Sequence, residues 1–265
     1  MEQHTASDVE PERPSAARVY DYYLGGSHNF AVDRAMAEQA IRILPELPGN
    51  MRANRAFLRR AVRYLIAQGV RQFLDLGSGI PTVGNVHEVA LGEAPDCRVV
   101  YVDNDPVAVA HSQSILEDVR AATIVQADVT DPGAVLAEAR RHLDFERPVG
   151  VLMVALLHFV PDSAAPASVI ARYRDAVAPG SFLAISHGTA DQQGDRGPAM
   201  EALYSRSANP LVSRDRATVE SFFEGYELVD PGVVFVPLWR PEPGALPAAT
   251  PPERTATYAG VGRLR

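Results

Sequence analysis

The stretch FLDLGSGIPT, residues 73–82, is an apolar segment that leads directly into a Gly-x-Gly turn. Glycine adopts positive φ without strain and lets the backbone approach a ligand closely. The N–H groups of such a turn, and of a helix that begins after it, attract anionic groups. A dinucleotide-binding fingerprint has a third glycine, whereas this chain has Pro81-Thr82 in its place. The stretch therefore predicts a strand followed by a ligand-binding turn, although a plain tight turn is the alternative.

Apolar segments of strand length alternate with segments of helical period from this stretch onward. The predicted strands are residues 72–76, 98–102, 123–126, 150–155 and 181–186. The predicted helices between them are residues 86–91, 107–117, 135–142 and 167–178. Such alternation is typical of a parallel sheet covered by helices on both faces, with right-handed crossovers. We therefore predict an α/β fold with a Rossmann-like, doubly wound and mostly parallel sheet.

The pattern changes after the fifth predicted strand. A polar loop at residues 187–198 is followed by helical segments at 199–207 and 215–224. Two late strand candidates, residues 233–238 and 257–261, flank a proline-rich stretch. These two strands bring the predicted sheet to seven.

The chain before the first strand is polar at first and then helical. Residues 1–16 are polar and contain proline, so they are predicted to form a flexible tail. Residues 17–69 are predicted to form a helical cap on a single domain that spans residues 17–265.

Two helices are predicted within this cap. Asp33 is the candidate N-cap of a helix over residues 34–44, which proline then ends. Asn50 is the candidate N-cap of a second helix, and Gly69 is its C-terminal glycine. Apolar residues at helical spacing between Asn50 and Gly69 indicate that one face of this helix is buried.

The composition excludes several classes of protein. Hydrophobic residues make up 46% and charged residues 22%, so a packed core is available. Lys plus Arg is 25 and Asp plus Glu is 33, and every basic residue is Arg, because the sequence contains no Lys. The missing ε-amine excludes a Walker-A loop and a lysine nucleophile or Schiff base. The net charge of −8 argues against nonspecific binding to nucleic acid or to an anionic membrane.

Cysteine, histidine and apolar runs add further constraints. The single cysteine, Cys97, excludes intrachain disulfides and multi-cysteine metal sites. His4, His111 and His142 lack the spacing of metal ligands, so no metal site is predicted. The N-terminus lacks the apolar core of a signal peptide, and the longest apolar run, residues 149–157, is too short to cross a bilayer. These features predict a soluble cytoplasmic protein.

An acidic residue follows the second predicted strand. Asp103 lies 103 − 79 = 24 residues after Gly79, close to the roughly 20 residues expected for an acid that binds a ribose. A carboxylate at this place can accept hydrogen bonds from both ribose hydroxyls, and the alternative is a solvated loop acid. Asp105, which precedes Pro106, is predicted to be the N-cap of the next helix.

Another acid follows the third predicted strand. Asp128 could accept a hydrogen bond from an exocyclic amine such as adenine N6, while Val129 packs against the ring. The alternative for Asp128 is a helix cap. Ligands of open α/β sheets bind beyond the carboxyl ends of the strands. The sequence therefore predicts that the ends of three successive strands form one ligand-binding edge of the sheet.

The order Asp75-x-Gly77-x-Gly79, then Asp103, then Asp128 resembles that of class I S-adenosylmethionine-dependent methyltransferases. More narrowly, the chain resembles the actinobacterial S-adenosyl methyltransferase family, long known only as a domain of unknown function. The segments that carry this resemblance are residues 17–26, 54–58, 72–82, 85–87, 101–106, 156–158 and 180–187. Together they extend over nearly the whole chain from residue 18 onward.

The resemblance implies S-adenosylmethionine as the cofactor and a binding site at the strand ends. The residues it implies are Tyr20, Gly77, Ser78, Gly79, Pro81, Thr82, Asp103, Asn104, Asp128, Val129, Ala155 and Leu156. Residues 77–79 would cradle the methionine end of the cofactor, and Thr82 would bind its carboxylate. Asp103 would hold the ribose, and the adenine would lie between Asn104 and residues 128–129.

Two side chains are candidates for catalytic roles next to residues 155–156, which would lie near the sulfonium. His158 is a candidate general base, because an imidazole is a competent base near neutral pH. The alternative is a structural histidine. Tyr23, with Tyr20 and Tyr22, is a candidate for an aromatic lid that favours a sulfonium by cation–π attraction, and core packing is the alternative. His187 could line the pocket.

The sequence thus predicts a methyltransferase that acts on a small-molecule acceptor. The alternatives are a noncatalytic protein that binds S-adenosylmethionine or its demethylated product, and an NAD(P)-dependent oxidoreductase. Where the family usually shows Gly-Gly-Lys-Asp-Asn, this chain has Gly-Gly-Ser-His-Asn at residues 25–29, which leaves the acceptor open. Acceptor specificity is expected from the N-terminal segment and from residues 187–210. The oligomeric state, including a homodimer, is also open.

Overall fold

Helices and strands alternate from residue 72 onward in a computed structural model that describes residues 12–80, 84–242 and 251–265. The helices are α1 (Ala16–Tyr23), α2 (Ala31–Ile43), α3 (Leu47–Ala67), α4 (Val86–Glu93), α5 (Pro106–Leu116), α6 (Pro132–Ala139), α7 (Pro166–Arg174), α8 (Arg196–Tyr204) and α9 (Arg216–Ser221). The strands are β1 (Gln72–Leu76), β2 (Arg98–Asp103), β3 (Ala122–Gln126), β4 (Gly150–Val154), β5 (Phe182–Gly188), β6 (Tyr226–Leu228), β7 (Val234–Phe235) and β8 (Thr257–Leu264).

The strands form one sheet in the order β3-β2-β1-β4-β5-β8-β6. The strands β1 to β5 are parallel to one another, and β8 is antiparallel to β5. The two-residue strand β7 pairs with β8 along the same edge as β6. This arrangement confirms the doubly wound, mostly parallel fold and adds β6 to the seven predicted strands. Because parallel strands point the same way, the carboxyl ends of β1 to β4 meet at one edge.

Alternate strand residues pack on opposite faces of the sheet. Leu74, Leu76 and Val100 belong to one buried cluster, whereas Phe73 and Val99 belong to another. Side chains alternate between faces along a strand, so helices must cover both faces of this sheet. A third buried cluster joins α1 and α2 to α8. The N-terminal cap therefore packs against the segment that follows β5.

The two predicted helices of the cap, α2 and α3, begin earlier in the chain than predicted. Asp33 lies in the first turn of α2, where its Oδ2 accepts a hydrogen bond from Phe30 N at 2.8 Å. Asp33 is the third residue of the helix and accepts from the N–H of the N-cap residue Phe30, which is one half of a capping box, so the prediction of Asp33 as the N-cap was wrong. Asn50 lies inside α3, because the helix begins before it with Pro48 in the first turn, where a missing N–H is tolerated. Gly69 follows α3 with φ of +93°, as predicted.

The chain before α1 is fastened to the connection between β2 and α5. Ser15 Oγ donates a hydrogen bond to Asp105 Oδ2. Arg18 Nε contacts Asp33 Oδ2 at 2.8 Å, and Arg18 Nη1 contacts Asp105 Oδ2 at 3.4 Å. Of the predicted flexible tail, residues 1–11 lie outside the described residues, whereas Ser15 is buried.

The last strands differ from their predicted bounds. Only residues 234–235 of the predicted strand 233–238 are extended, and a 3-10 helix follows because Pro237 cannot donate to a strand ladder. The strand β8 continues past residue 261 to Leu264, where it pairs with β6. The strand β6 was not predicted, since its mostly exposed side chains give no apolar pattern.

Candidate active site

The turn after β1 has the backbone geometry that its glycines favour. Gly77 and Gly79 have φ of +67° and +65°. A Cβ at Gly77 would lie 2.5 Å from Leu156 Cδ1, whereas a Cβ at Gly79 would meet no atom within 4 Å. The turn therefore packs on one side against Leu156 and opens on the other into a cavity that Gly79 lines.

Asp103, at the end of β2, is bound to this turn. Its Oδ2 accepts a hydrogen bond from Gly79 N at 2.7 Å, and its Oδ1 accepts one from Asp105 N at 2.9 Å. Its side chain is buried, and this burial raises the pKa of Asp103 to about 6. Each carboxylate oxygen keeps a second lone pair, so ionised Asp103 can also accept hydrogen bonds from ligand hydroxyls. Asp105 Oδ1 accepts from Val107 N at 2.8 Å, which confirms Asp105 as the N-cap of α5.

Asp128, Val129 and Asn104 line the same cavity. Asp128 Oδ1 accepts hydrogen bonds from Thr130 N at 2.8 Å and from Thr130 Oγ1 at 2.7 Å. This local turn orients the carboxylate and leaves Oδ2 without a donor from the described residues. The N-cap of α6 is Asp131, whose Oδ1 accepts from Ala134 N at 3.2 Å, and not Asp128. The helix-cap alternative for Asp128 was therefore wrong.

Two opposite charges line the cavity near the methionine end predicted for the cofactor. Burial raises the pKa of Asp75 to about 7, and nearby Arg55 acts in the opposite direction. Arg55 Nη2 donates to Asn85 Oδ1 at 3.2 Å. Arg55 Nε and Ser78 Oγ are buried and have no hydrogen-bond partner in the described part of the chain. Opposite charges beside unpaired polar atoms fit a zwitterionic ligand.

These groups line one cavity of about 460 Å³ at the carboxyl ends of the strands. The lining of this cavity fits S-adenosylmethionine, because it combines opposite charges, a buried acid and a wall that is partly polar and partly apolar. The predicted cofactor residues that it brings together are Tyr20, Gly77, Ser78, Gly79, Asp103, Asn104, Asp128, Val129, Ala155 and Leu156. Pro81 and Thr82 lie outside the described residues.

The sequence analysis did not identify Arg55 as a site residue. A signal was present in its neighbour Asn54, a polar residue at helical spacing from the buried Phe57, Leu58 and Ala61. A polar side chain on a buried face requires a hydrogen-bonding partner. Asn54 marks the part of α3 that faces the strand ends.

Asn54 connects the cap to the end of β4 through hydrogen bonds. Its Nδ2 donates to Tyr20 Oη at 3.0 Å, and its Oδ1 accepts from Ser186 Oγ at 2.6 Å. Ser186 Oγ in turn accepts from Ala155 N at 2.9 Å. Ala155 has φ of +57°, an unfavourable value for a residue with a Cβ that is often found at functional sites. The network fixes both Tyr20 and the backbone at Ala155.

A second cavity, of about 100 Å³, lies between the cap and the segment after β5. Most of its wall is apolar or aromatic, and the larger apolar side chains are Tyr20, Tyr23, Leu44, Leu47, Met51, Phe159, Met200, Tyr204 and Leu211. The residues it shares with the first cavity are Ala16, Tyr20, Asn54, Ala155 and Phe159. The two cavities therefore adjoin at the end of β4.

Gln193 lines this apolar cavity and carries an unpaired acceptor. Its Nε2 donates to Asp191 O at 3.1 Å and to Glu253 O at 2.8 Å, which fixes the orientation of the amide. Its Oε1 is buried and has no partner among the described residues. A buried acceptor left without a donor costs free energy, so this atom indicates a place for a ligand N–H or O–H.

His158 lines the apolar cavity, and one of its ring nitrogens is already bound. Its Nδ1 accepts a hydrogen bond from Gly188 N at 3.1 Å. A neutral imidazole carries its proton on the other nitrogen when one accepts, so Nε2 is the donor. Burial, with the nearby His187 and Arg214, holds the pKa of His158 well below its usual range. The geometry thus favours a neutral hydrogen-bond donor over the general base predicted from the sequence.

Tyr23 forms a hydroxyl pair with Tyr204 in the same cavity. The two Oη atoms are 3.1 Å apart, and either can be the donor. Burial raises the pKa of Tyr23 far above its ordinary value and that of Tyr204 to about 12, so both hydroxyls keep their protons. Only one of the two protons is used between them, which leaves the other available to a ligand.

His187 is excluded from both cavities by its own hydrogen bonds. Its Nδ1 donates to Gly188 O at 2.7 Å, and its Nε2 accepts from Arg214 Nη1 at 3.0 Å. Burial lowers the pKa of His187 to about 4. The residue is absent from the described lining of either cavity, so the interpretation as a pocket-lining group was wrong.

The segment that departs from the family pattern lies away from both described linings. His28 N donates to Asp21 Oδ2 at 2.9 Å, and the centroids of the His28 and His111 rings are 4.1 Å apart. Asn29 Nδ2 donates to the same Asp21 oxygen at 2.8 Å. In this chain the segment therefore supports the end of α1.

The sheet order, the Gly-rich turn after β1 and the buried acid after β2 define a class I S-adenosylmethionine-dependent methyltransferase. The chain belongs to the S-adenosyl methyltransferase family, which it matches over residues 2–265. Its cofactor is S-adenosylmethionine, as the resemblance implied.

Two solved structures of actinobacterial proteins are similar over their full lengths. One is a candidate methyltransferase from Thermobifida fusca YX, with 37% identity, 100% coverage of both chains and a TM-score of 0.91. The other is a DUF574 family protein from Streptomyces avermitilis MA-4680, with 39% identity, coverage of 97% of this chain and 99% of that chain, and a TM-score of 0.92. No curated protein matches the sequence.

None of the helices in the described ranges is both long and apolar enough to cross a membrane. Within the same ranges, no group of three or more His, Cys, Asp and Glu residues is arranged to hold a metal ion.

Proposed function

We propose that the protein transfers the methyl group of S-adenosylmethionine to a small organic molecule bound in the apolar cavity. The observation that carries this proposal is the junction of the two cavities at Tyr20, Asn54, Ala155 and Phe159. A methyl group can pass in line only if donor and acceptor meet without a wall between them, and positioning supplies much of the acceleration.

The larger cavity would hold the cofactor by charge and hydrogen bonding. Arg55 would bind the methionine carboxylate in a charge-assisted pair, and Asp75 would face the ammonium group. Ser78 and the flanking glycines would cradle the methionine backbone. Asp103 would accept from the ribose hydroxyls. The bound sulfonium supplies an activated methyl group, so the protein needs to orient the acceptor and exclude water.

The adenine would lie at the ends of β2 and β3. Asn104 and Asp128 offer polar groups there, and Val129 offers an apolar surface for the ring.

Thr82 stays a predicted ligand of the methionine carboxylate, and Pro81 stays a predicted cofactor-site residue beside it. The single domain over residues 17–265 and the cytoplasmic location also stay predictions.

In the apolar cavity, aromatic faces would surround the acceptor and polar atoms would orient it. Tyr20 and Phe159 lie at the junction, where a ring face attracts the positive charge of a sulfonium. His158 Nε2 and the unused proton of the Tyr23 pair are donors, and Gln193 Oε1 is an acceptor. These groups can fix one orientation of a mainly apolar molecule.

A cavity-filling substitution tests whether the acceptor binds in the apolar cavity and the cofactor binds in the larger one. Met200→Trp should fill the apolar cavity and abolish formation of S-adenosylhomocysteine from a panel of small aromatic acceptors, while the calorimetric affinity for S-adenosylhomocysteine stays within about twofold. Ile115→Trp, on the exposed side of α5, is the matched control and should change neither. Loss of cofactor affinity in Met200→Trp, or full turnover by it, would show that the acceptor binds elsewhere.

A further inference from the structure

Among the described residues that line the apolar cavity, none is placed to remove a proton from an acceptor. The titratable residues that line it, among those described, are Tyr20, Tyr23, His158, Arg196 and Tyr204. The tyrosine hydroxyls keep their protons because they are buried. Arg196 is a permanent cation. The lone pair of His158 that a base would use is occupied by Gly188 N.

The described carboxylates lie on the other side of the junction. Asp75, Asp103, Asp105 and Asp128 line the cofactor cavity and do not appear in the described lining of the apolar one. Asp103 is engaged with Gly79 and Asp105 through both oxygens. A cationic acceptor would therefore enter the apolar cavity without a counter-charge, which is costly in a low-dielectric site.

We propose that the acceptor is a neutral aromatic amine, whose nitrogen lone pair is available without prior loss of a proton. This inference rests on the proposed function and specifies its substrate class. A phenol or alcohol would need a base to become nucleophilic, and an alkylamine would arrive as a protonated cation with no lone pair. An aromatic amine avoids both costs, and its N–H groups can donate to the unpaired Gln193 Oε1.

The reaction balances without a base. The nitrogen lone pair forms the new N–CH3 bond, while the S–CH3 bond breaks and its electron pair stays on sulfur. The positive charge passes from sulfur to nitrogen, where the faces of Tyr20 and Phe159 stabilise it. The nitrogen then loses one proton to water, which leaves the neutral N-methylamine.

Three molecules with one carbon frame separate the acceptor classes. They are 1-aminonaphthalene, 1-naphthol and 1-(aminomethyl)naphthalene, which carry a neutral amine, a hydroxyl and an alkylammonium group. Ligand-observed NMR measures the binding of each probe without cofactor. Mass spectrometry measures the methylated product with saturating S-adenosylmethionine between about pH 7 and pH 9.

We expect the alkylammonium probe to bind at least about tenfold more weakly than 1-aminonaphthalene, because its charge is desolvated. Methylation of 1-aminonaphthalene should be independent of pH in this range. Methylation of 1-naphthol should be at least about tenfold slower at pH 7 and should rise with pH as the hydroxyl ionises in water. Such a rise would show that solvent, and not the protein, removes that proton.

Faster methylation of 1-naphthol than of the amine at pH 7 would overturn the proposal, as would preferential binding of the alkylammonium probe. Failure of all three probes to bind and react would overturn it too. Calorimetry with S-adenosylhomocysteine on the same sample distinguishes these results from failure of the proposed function. A protein that binds this product and prefers the naphthol remains a methyltransferase with another acceptor class, whereas one that does not bind it fails both proposals.

Discussion

The two adjoining cavities are built in different ways. The cofactor cavity is lined by strand ends and by charged groups such as Arg55, Asp75 and Asp103. The apolar cavity is lined by side chains from the cap and from the segment after β5. The first recognises its ligand by charge and hydrogen bonds, and the second recognises its ligand mainly by shape. Substitutions in one cavity should therefore leave binding in the other unchanged.

The largest expected effect is at Asp103. Asp103→Asn keeps the shape of the side chain and removes the charge that would accept from the ribose hydroxyls. The affinity for S-adenosylhomocysteine should fall about fivefold to 150-fold, the effect of losing about 1–3 kcal/mol of charge-assisted hydrogen bonding. Asp131→Asn, at the N-cap of α6, is the control and should have no effect in calorimetry. Equal affinities for the two variants would show that Asp103 does not bind the cofactor.

Arg55 should show a smaller effect that depends on the ligand. Arg55→Met keeps much of the side-chain volume and removes the guanidinium, so the affinity for S-adenosylhomocysteine should fall about tenfold. Decarboxylated S-adenosylhomocysteine lacks the proposed partner of Arg55, so its affinity should hardly change. If both ligands lose affinity equally, Arg55 supports the fold of the site and does not bind the carboxylate.

The pH dependence of cofactor binding should reveal the two raised carboxyl pKa values. Burial raises the pKa of Asp103 to about 6 and that of Asp75 to about 7. A bound ligand favours their ionised forms, so it lowers both pKa values and binding releases protons near neutral pH. The affinity for S-adenosylhomocysteine should therefore fall several-fold, on the order of three to tenfold, as the pH decreases from about 8 to about 5.

Calorimetry in buffers of different ionisation enthalpy measures that proton release directly. Binding of 1-aminonaphthalene to the apolar cavity should show no comparable release between about pH 6 and pH 8. Proton uptake on cofactor binding would contradict the assignment of both carboxylates.

The smallest effect is expected at the hydroxyl pair in the apolar cavity. Tyr23→Phe should lower the free energy of unfolding by about 0.5–1.5 kcal/mol, the value of one buried hydrogen bond, and leave the affinity for S-adenosylhomocysteine unchanged. Tyr204→Phe is the matched variant, and chemical denaturation compares the two. If either variant weakens cofactor binding by more than about threefold, the pair also shapes the cofactor cavity, and the separation of the two cavities is incomplete.

The cofactor edge was predictable because its signals are local in the sequence. A Gly-x-Gly turn directly after an apolar strand, and acids after the next two strands, follow from backbone geometry and from the rule that parallel strands end at one edge. Gly79, Asp103 and Asp128 therefore lie together as predicted. The prediction failed where a local pattern has two solutions, as at Asp33 and Asn50, where a capping signal lies inside the helix it was expected to begin.

The sequence by itself determined the fold class, the order of the strands' ligand-binding ends and, through the family resemblance, the cofactor. Only the tertiary structure decided the charge partner Arg55, the second cavity and the protonation of His158. Arg55 and Gln193 approach their sites across long stretches of chain, so their own positions in the sequence do not reveal them, although the neighbouring Asn54 marks the part of α3 that contains Arg55. The tautomer of His158 depends on Gly188, which a neighbouring strand brings within 3.1 Å. Such contacts arise from packing between distant segments and carry no local signature.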